Sequence, residues 1–117
     1  MRIPQLLTNL EFVGQAEGDR RTYYVFKGKM QYLVASANNR GGLNVNTVGG
    51  EAPKAILRRY GGKEVTSKQL GKSGRGPALV RQRFERLNSL YTMVALGKAR
   101  KLKKREGKSM VFKIAAH

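Results

Sequence analysis

The spacing of apolar residues changes period at Gly49-Gly50, and this limits what the chain can fold into more than any other feature. Before that joint, short runs alternate with period two between turn signals, which is the pattern of half-buried strands. After it, apolar residues recur every three or four positions, as on one face of a helix. A chain of 117 residues with strands gathered first and helices later fits one α+β unit with a real core. The expected division is a β-rich portion over 1–50, serving as dimerisation, core or accessory binding surface, and a second portion over 51–117.

Within the first portion, a helical turn is expected over Gln5–Leu10 after Pro4, then a strand over Leu10–Gly14 and a turn at Glu17-Gly18-Asp19. Arg21–Lys27 and Met30–Ala35 flank Gly28-Lys29, which predicts a hairpin with a type II′ turn. That register sets Val25 opposite Tyr32 and Tyr23 opposite Val34, with Tyr24 opposite Leu33 on the other face. Asn38–Gly42 is a turn cluster, and Leu43–Val48 alternates as a third strand. The aromatics Tyr23, Tyr24, Phe26 and Tyr32 are expected in the core or a homodimer interface; exposed, they could stack unpaired bases.

In the second portion, Glu51-Ala52-Pro53 opens a helix, proline being tolerated in the first turn, with Ile56, Leu57 and Tyr60 as its stripe and Gly61-Gly62 as its stop. Thr66 followed three residues later by Gln69 is a capping-box pattern and predicts a second short helix. Gly71–Gly76 is a turn rich in glycine and cations. Pro77 to about Leu96 reads as the longest helix, with Val80, Phe84, Leu87, Tyr91 and Val94 inward. Lys98 onward is a basic strand, turned at Glu106-Gly107 and paired with Ser109–Ile114.

Charge narrows the partners. The formal net charge is +17, so the compact state repels itself unless a polyanion screens it. Residues 1–50 carry six Lys/Arg against three Asp/Glu, and residues 51–117 carry eighteen against four, which puts the binding surface mostly in the second portion. Residues 98–108 alone hold seven cations and one carboxylate. Nucleic acid is the expected polyanion. A membrane is not expected, because no helix joins a cationic face to a large aromatic one. The chain has no cysteine, which removes disulfides and thiolate metal sites and suits a reducing cytoplasm, on the nucleoid or in a nucleus.

The order of helix, capped short helix, turn, long helix and β-hairpin over residues 51–117 resembles the winged-helix variety of helix-turn-helix domains. Its carriers are Ile56-Leu57, Val65–Leu70 and Pro77–Tyr91, with Lys98–Ile114 as the wing. The resemblance implies a three-helix unit with a C-terminal hairpin, binding duplex DNA with the third helix in the major groove. Base contacts are then expected from Arg75, Arg81, Gln82 and Arg86, since arginine and glutamine can each bond two acceptor or donor atoms on a purine edge. Phosphate contacts are expected from Lys68 in the short helix, from Lys72 and Ser73 in the glycine-rich turn, and from Lys98, Arg100, Lys101, Lys103, Lys104, Arg105 and Lys108 on the wing. A regulator of transcription or a DNA-organising protein is the expected role, with an RNA- or ribosome-binding protein as the alternative.

Catalysis is poorly provided for. The single histidine is His117, and the carboxylates are scattered, with Glu17 and Asp19 the nearest to a pair. A metal-dependent nuclease needs clustered acids to hold its ions, so a nuclease or recombinase component ranks third. Gly71–Gly76 lacks the order and the strand context of a nucleotide-binding loop. Neither cofactor nor metal is expected.

Overall fold

In the computed structural model, residues 10–71, 79–80 and 82–116 are described. Four antiparallel strands come first: β1 (Glu11–Glu17), β2 (Thr22–Lys27), β3 (Gln31–Ala37) and β4 (Leu43–Gly49). They form a meander in that order. A helix, α1 (Ala52–Tyr60), is followed by the two-residue strand β5 (Glu64–Val65) and a single 3₁₀ turn (Ser67–Leu70). Helix α2 (Arg83–Ala95) then leads into β6 (Ala99–Glu106) and β7 (Ser109–Ile114), which join β5 in a second sheet of order β5-β7-β6. Among the described residues no helix is long and apolar enough to cross a membrane.

The α+β composition and the N-terminal antiparallel sheet match the sequence reading; the winged-helix unit does not. The described residues hold two α-helices and two sheets, not three helices and a wing. The capping box at Thr66 and Gln69 is present, with the Thr66 amide donating to Gln69 Oε1 at 2.8 Å, yet it opens only one 3₁₀ turn. The long helix begins at Arg83 rather than Pro77, because Gln82 is extended (ψ 122°); residues 77, 78 and 81 lie outside the described residues, as does the turn expected from Gln5, apart from Leu10. Burial also differs from that of a helix laid on the surface. Every residue from Asn88 to Met93 is buried, so the centre of α2 packs inside the protein, and Gln82, Arg83 and Phe84 at its start are the exposed part.

The polar letters of α2 explain how a helix can be buried all round. Asn88, Ser89 and Thr92 each donate to the carbonyl four residues back, at 3.0, 2.7 and 2.8 Å, so none enters the core with an unmet hydrogen bond. Tyr91 is the pivot of the packing. Its ring stacks on Tyr23 of β2 (centroids 4.2 Å apart) and meets Phe112 of β7 edge-on at 6.0 Å. The larger core cluster runs across both portions of the chain, from Ala16 and Ile56 through Leu70, Leu90 and Met93 to Ile114. Val25, Val34 and Val48 form a smaller cluster on the covered face of the first sheet.

The first hairpin slips two residues from the expected register. Val25 pairs with Val34 and Lys27 with Tyr32, so Lys29-Met30, not Gly28-Lys29, form its tip, and Gly28 is not among the residues with positive φ that a type II′ turn needs. A slip of two preserves which side chains share a face, so the face assignment survives. The open face then reads in rows across the strands: Phe12-Phe26-Leu33-Thr47, Gln15-Tyr24-Ala35-Val45, and beyond them Glu17-Thr22 and Ala37-Leu43. No lysine or arginine stands in any of these rows.

Two glycines set how α2 meets the sheets. Gly97 (φ +74°) turns the chain into β6, with its amide on the Val94 carbonyl and the Lys98 amide on the Met93 carbonyl, a Schellman close. Gly14, at the β1 irregularity, lies so near α2 that a Cβ would stand 2.8 Å from the Ala95 carbonyl oxygen. Gly97→Ala is expected to cost roughly 1–2 kcal/mol through left-handed strain, and Gly14→Ala about 1–3 kcal/mol through the clash with backbone. Urea unfolding of each variant measures both; wild-type stability in Gly14→Ala would contradict the close packing of α2 on β1.

Candidate nucleic-acid interface

The β6–β7 hairpin is built to hold cations in a fixed shape. Its base pairs regularly, Ala99 with Ile114 and Lys101 with Phe112, and its tip pairs Arg105 with Met110 and Glu106 with Ser109. Between Lys101 and Arg105, β6 carries more residues than the β7 stretch opposite, so the strand bulges around Leu102, Lys103 and Lys104. Such a bulge re-aims side chains and sharpens the twist. Because β5 reaches only Phe112 and Lys113, no third strand pairs the hairpin beyond Phe112, where it continues as a two-stranded ribbon.

Six of the seven cations expected on this hairpin lie on it, Lys98 stands just before β6, and two carboxylates orient part of the set. Asp19, in the β1–β2 turn, accepts from the Arg105 guanidinium and pairs with Lys101 at 3.6 Å. Glu64 of β5 pairs with Lys104. The Arg105 hydrogen bond, with the nearby Lys101 charge, holds the Asp19 carboxyl below its usual range, and Lys104 does the same for Glu64. The partnership raises the Arg105 pKa in turn. Arg105 also donates to the Lys108 carbonyl at 3.1 Å, which stiffens the turn. Lys98, Arg100, Lys103 and Lys108 are exposed and form no ion pair among the described residues.

The expected base-reading group is not brought together as a helix face. Arg75 and Arg81 lie outside the described residues, as do Lys72 and Ser73 of the phosphate group. Gln82 is exposed just before α2. Arg86 donates through Nε to the Val80 carbonyl at 2.8 Å, and its guanidinium lies against Gly71, where a Cβ would come within 2.8 Å of it. It therefore clasps the segment before α2. Glu85 accepts from the Gly49 amide at 2.9 Å.

Sequence reasoning missed a second cationic feature. A groove of about 830 Å³ opens between β4, the 3₁₀ turn and the first turn of α2, with Arg21, Lys68, Arg83 and Arg86 in its walls beside Phe84 and Asn46. No carboxylate lines it among the described residues. Its signal in the sequence was the alternation of Asn44 and Asn46 with Leu43, Val45 and Thr47, which places both amides on one side of β4. Tyr91 links the groove to the hairpin: it lines the groove, and its hydroxyl lies 3.9 Å from Met110 Sδ. Burial pushes its phenol well above the usual range, so it stays neutral. Among the described residues no group of three or more His, Asp or Glu is placed to hold a metal ion.

The lowered carboxyls of Asp19 and Glu64 fix the sign of a pH effect. Each contributes above its ordinary value, 3.8 and 4.5 respectively, and that contribution disappears as pH falls through the lowered folded value. The protection factors of the amides over residues 103–108, corrected for the intrinsic pH dependence of exchange, are therefore expected to hold around neutral pH and to fall in acid. In the double variant Asp19→Asn, Glu64→Gln they are expected to be modestly lower at neutral pH already. Equal exchange in variant and wild type would show that the carboxylates do not tether the tip.

No family model matches this chain, and searches of curated proteins and of solved structures find no match to it.

Proposed function

We propose that the chain is a non-catalytic nucleic-acid-binding protein that clamps the phosphates of duplex DNA with the β6–β7 hairpin. The observation that carries this reading is the two-stranded ribbon tip, on which Lys103, Lys104, Arg105 and Lys108 are exposed beside a bulged strand. A two-stranded ribbon is one of the shapes that the major groove of a duplex admits. The ion pairs to Asp19 and Glu64 are exposed, and such pairs are worth little on their own. Phosphate can therefore take over their cations, while the carboxylates keep them aimed in the free protein.

Contacts of this kind position a protein on nucleic acid without reading its sequence. The role this supports is DNA organisation rather than selection of one site. Salt-titrated binding to blunt duplex DNA, structured RNA and single strands tests the polymer. On duplex DNA, four or five phosphate contacts give a log–log salt slope of roughly −4. Lys103→Ala with Lys108→Ala is expected to weaken all duplex sequences alike and flatten that slope by about 2. A clear preference for structured RNA would replace this reading with the RNA-binding one.

The open face of the first sheet supports a second copy of the chain as partner. Phe12, Tyr24 and Val45 are exposed there at 55%, 42% and 51%, and the absence of lysine and arginine from its rows lets two strongly basic chains meet without apposing like charges. Sedimentation is expected to show a dimer for the wild type and a monomer for Tyr24→Arg. A wild-type monomer at tens of micromolar would end this proposal.

A further inference from the structure

We infer that the groove between β4 and α2 is a binding site for an unpaired nucleotide, which deepens the nucleic-acid reading by adding a single-stranded element to it. Its size lies within the range of ligand sites, roughly 300–1,000 Å³, and admits one or two nucleotides but no duplex. The walls supply what each part of a nucleotide needs. Arg21, Lys68 and Arg83 offer cations for the phosphate, with no carboxylate in the described lining to oppose it. Phe84 lines the groove with 62% of its surface in water, so its ring is accessible to a flat partner that can stack on it. Asn44 and Asn46 bring amides able both to donate to and accept from a base edge.

The groove is also held open by bonds that do not involve any ligand. Glu85 ties the first turn of α2 to the end of β4 through the Gly49 amide at 2.9 Å. Asn88 Nδ2 donates to the Phe84 carbonyl at 3.0 Å, which fixes the backbone that carries the exposed ring. Arg86, bonded to the Val80 carbonyl, closes the end near the 3₁₀ turn. An acidic peptide would satisfy the cations, yet would leave the ring and the paired amides without a role. A base stacked on an aromatic ring uses all three, and such stacking tolerates any sequence.

The absence of tryptophan from the chain supplies a direct probe. In Phe84→Trp, the emission of the new indole is expected to be quenched by an unstructured thymidine oligonucleotide and not by blunt duplex DNA. Phe84→Leu, which keeps an apolar side chain without a ring, is expected to weaken oligonucleotide binding about ten-fold, and Phe84→Tyr to retain it. An unquenched indole, or wild-type oligonucleotide affinity in Phe84→Leu, overturns the inference. The two readings fail separately. Quenching without any blunt-duplex binding would sink the hairpin clamp and leave the groove standing; duplex binding without quenching would do the reverse.

Discussion

The stack of Tyr23, Tyr91 and Phe112 is the contact on which the rest of the molecule depends. One ring comes from each of the three layers: the first sheet, helix α2 and the second sheet. A helix buried on all sides needs large side chains reaching both ways, and Tyr91 is the largest fully buried one among the described residues. Aromatic pairs of this kind add about 0.5–1.5 kcal/mol beyond the area they bury. Position matters more than that figure. The same tyrosine walls the groove, touches Met110 of β7, and lies where a Cβ on Gly18 would come within 2.9 Å of its hydroxyl. The turn that carries Asp19, the groove and the hairpin are all set by one ring.

Charge is arranged around this frame rather than cancelled by it. With only seven carboxylates for twenty-four cations, acids are too few to neutralise the surface, and their placement is informative. Glu85 holds a backbone amide, Glu17 takes the Thr22 hydroxyl at 2.9 Å, and Asp19 and Glu64 aim the hairpin. Self-repulsion on the hairpin is tolerated because its backbone is paired at the base and tied on two sides. A flexible tail with the same residues would lose conformational freedom on every phosphate it met. Here that ordering is already in place.

Much of the secondary structure was legible, and its failures have physical causes. Period-two runs and glycine turns revealed the four strands, Pro53 and Gly61 bounded α1, and the basic run ahead of Met110-Val111-Phe112 announced the last hairpin. The hairpin register slipped because Gly28-Lys29 looks like a two-residue turn, while nothing local distinguishes it from Lys29-Met30. The winged-helix resemblance rested on element order, which says nothing about what covers a helix. Polar side chains such as Asn88, Ser89 and Thr92 can enter the core because each bonds to the preceding turn, which spacing alone does not reveal. Phe84, placed in the core by its spacing, is exposed in the first turn of α2 and lines the groove with β4 instead. The groove joins Arg21, Asn46, Lys68 and Arg83, which no sequence window contains together.

Burying the helix moves the source of any selectivity. A helix with an exposed polar face can set several side chains on base edges at once, whereas the core of α2 is committed to packing. What remains at the surface is a ribbon of cations and a groove with one exposed ring, and these differ in what they can sense. Cations on a ribbon respond to phosphate spacing and salt, and so favour a duplex by its charge density. A ring beside amides responds to whether a base is free to leave its partner, because unstacking must be paid before the ring can be used. On the proposed reading, a molecule that combines the two discriminates by the state of its nucleic acid, paired or unpaired, rather than by the order of its bases. On that same reading Tyr91, buried and neutral between ribbon and groove, sets the spacing between the paired and the unpaired part.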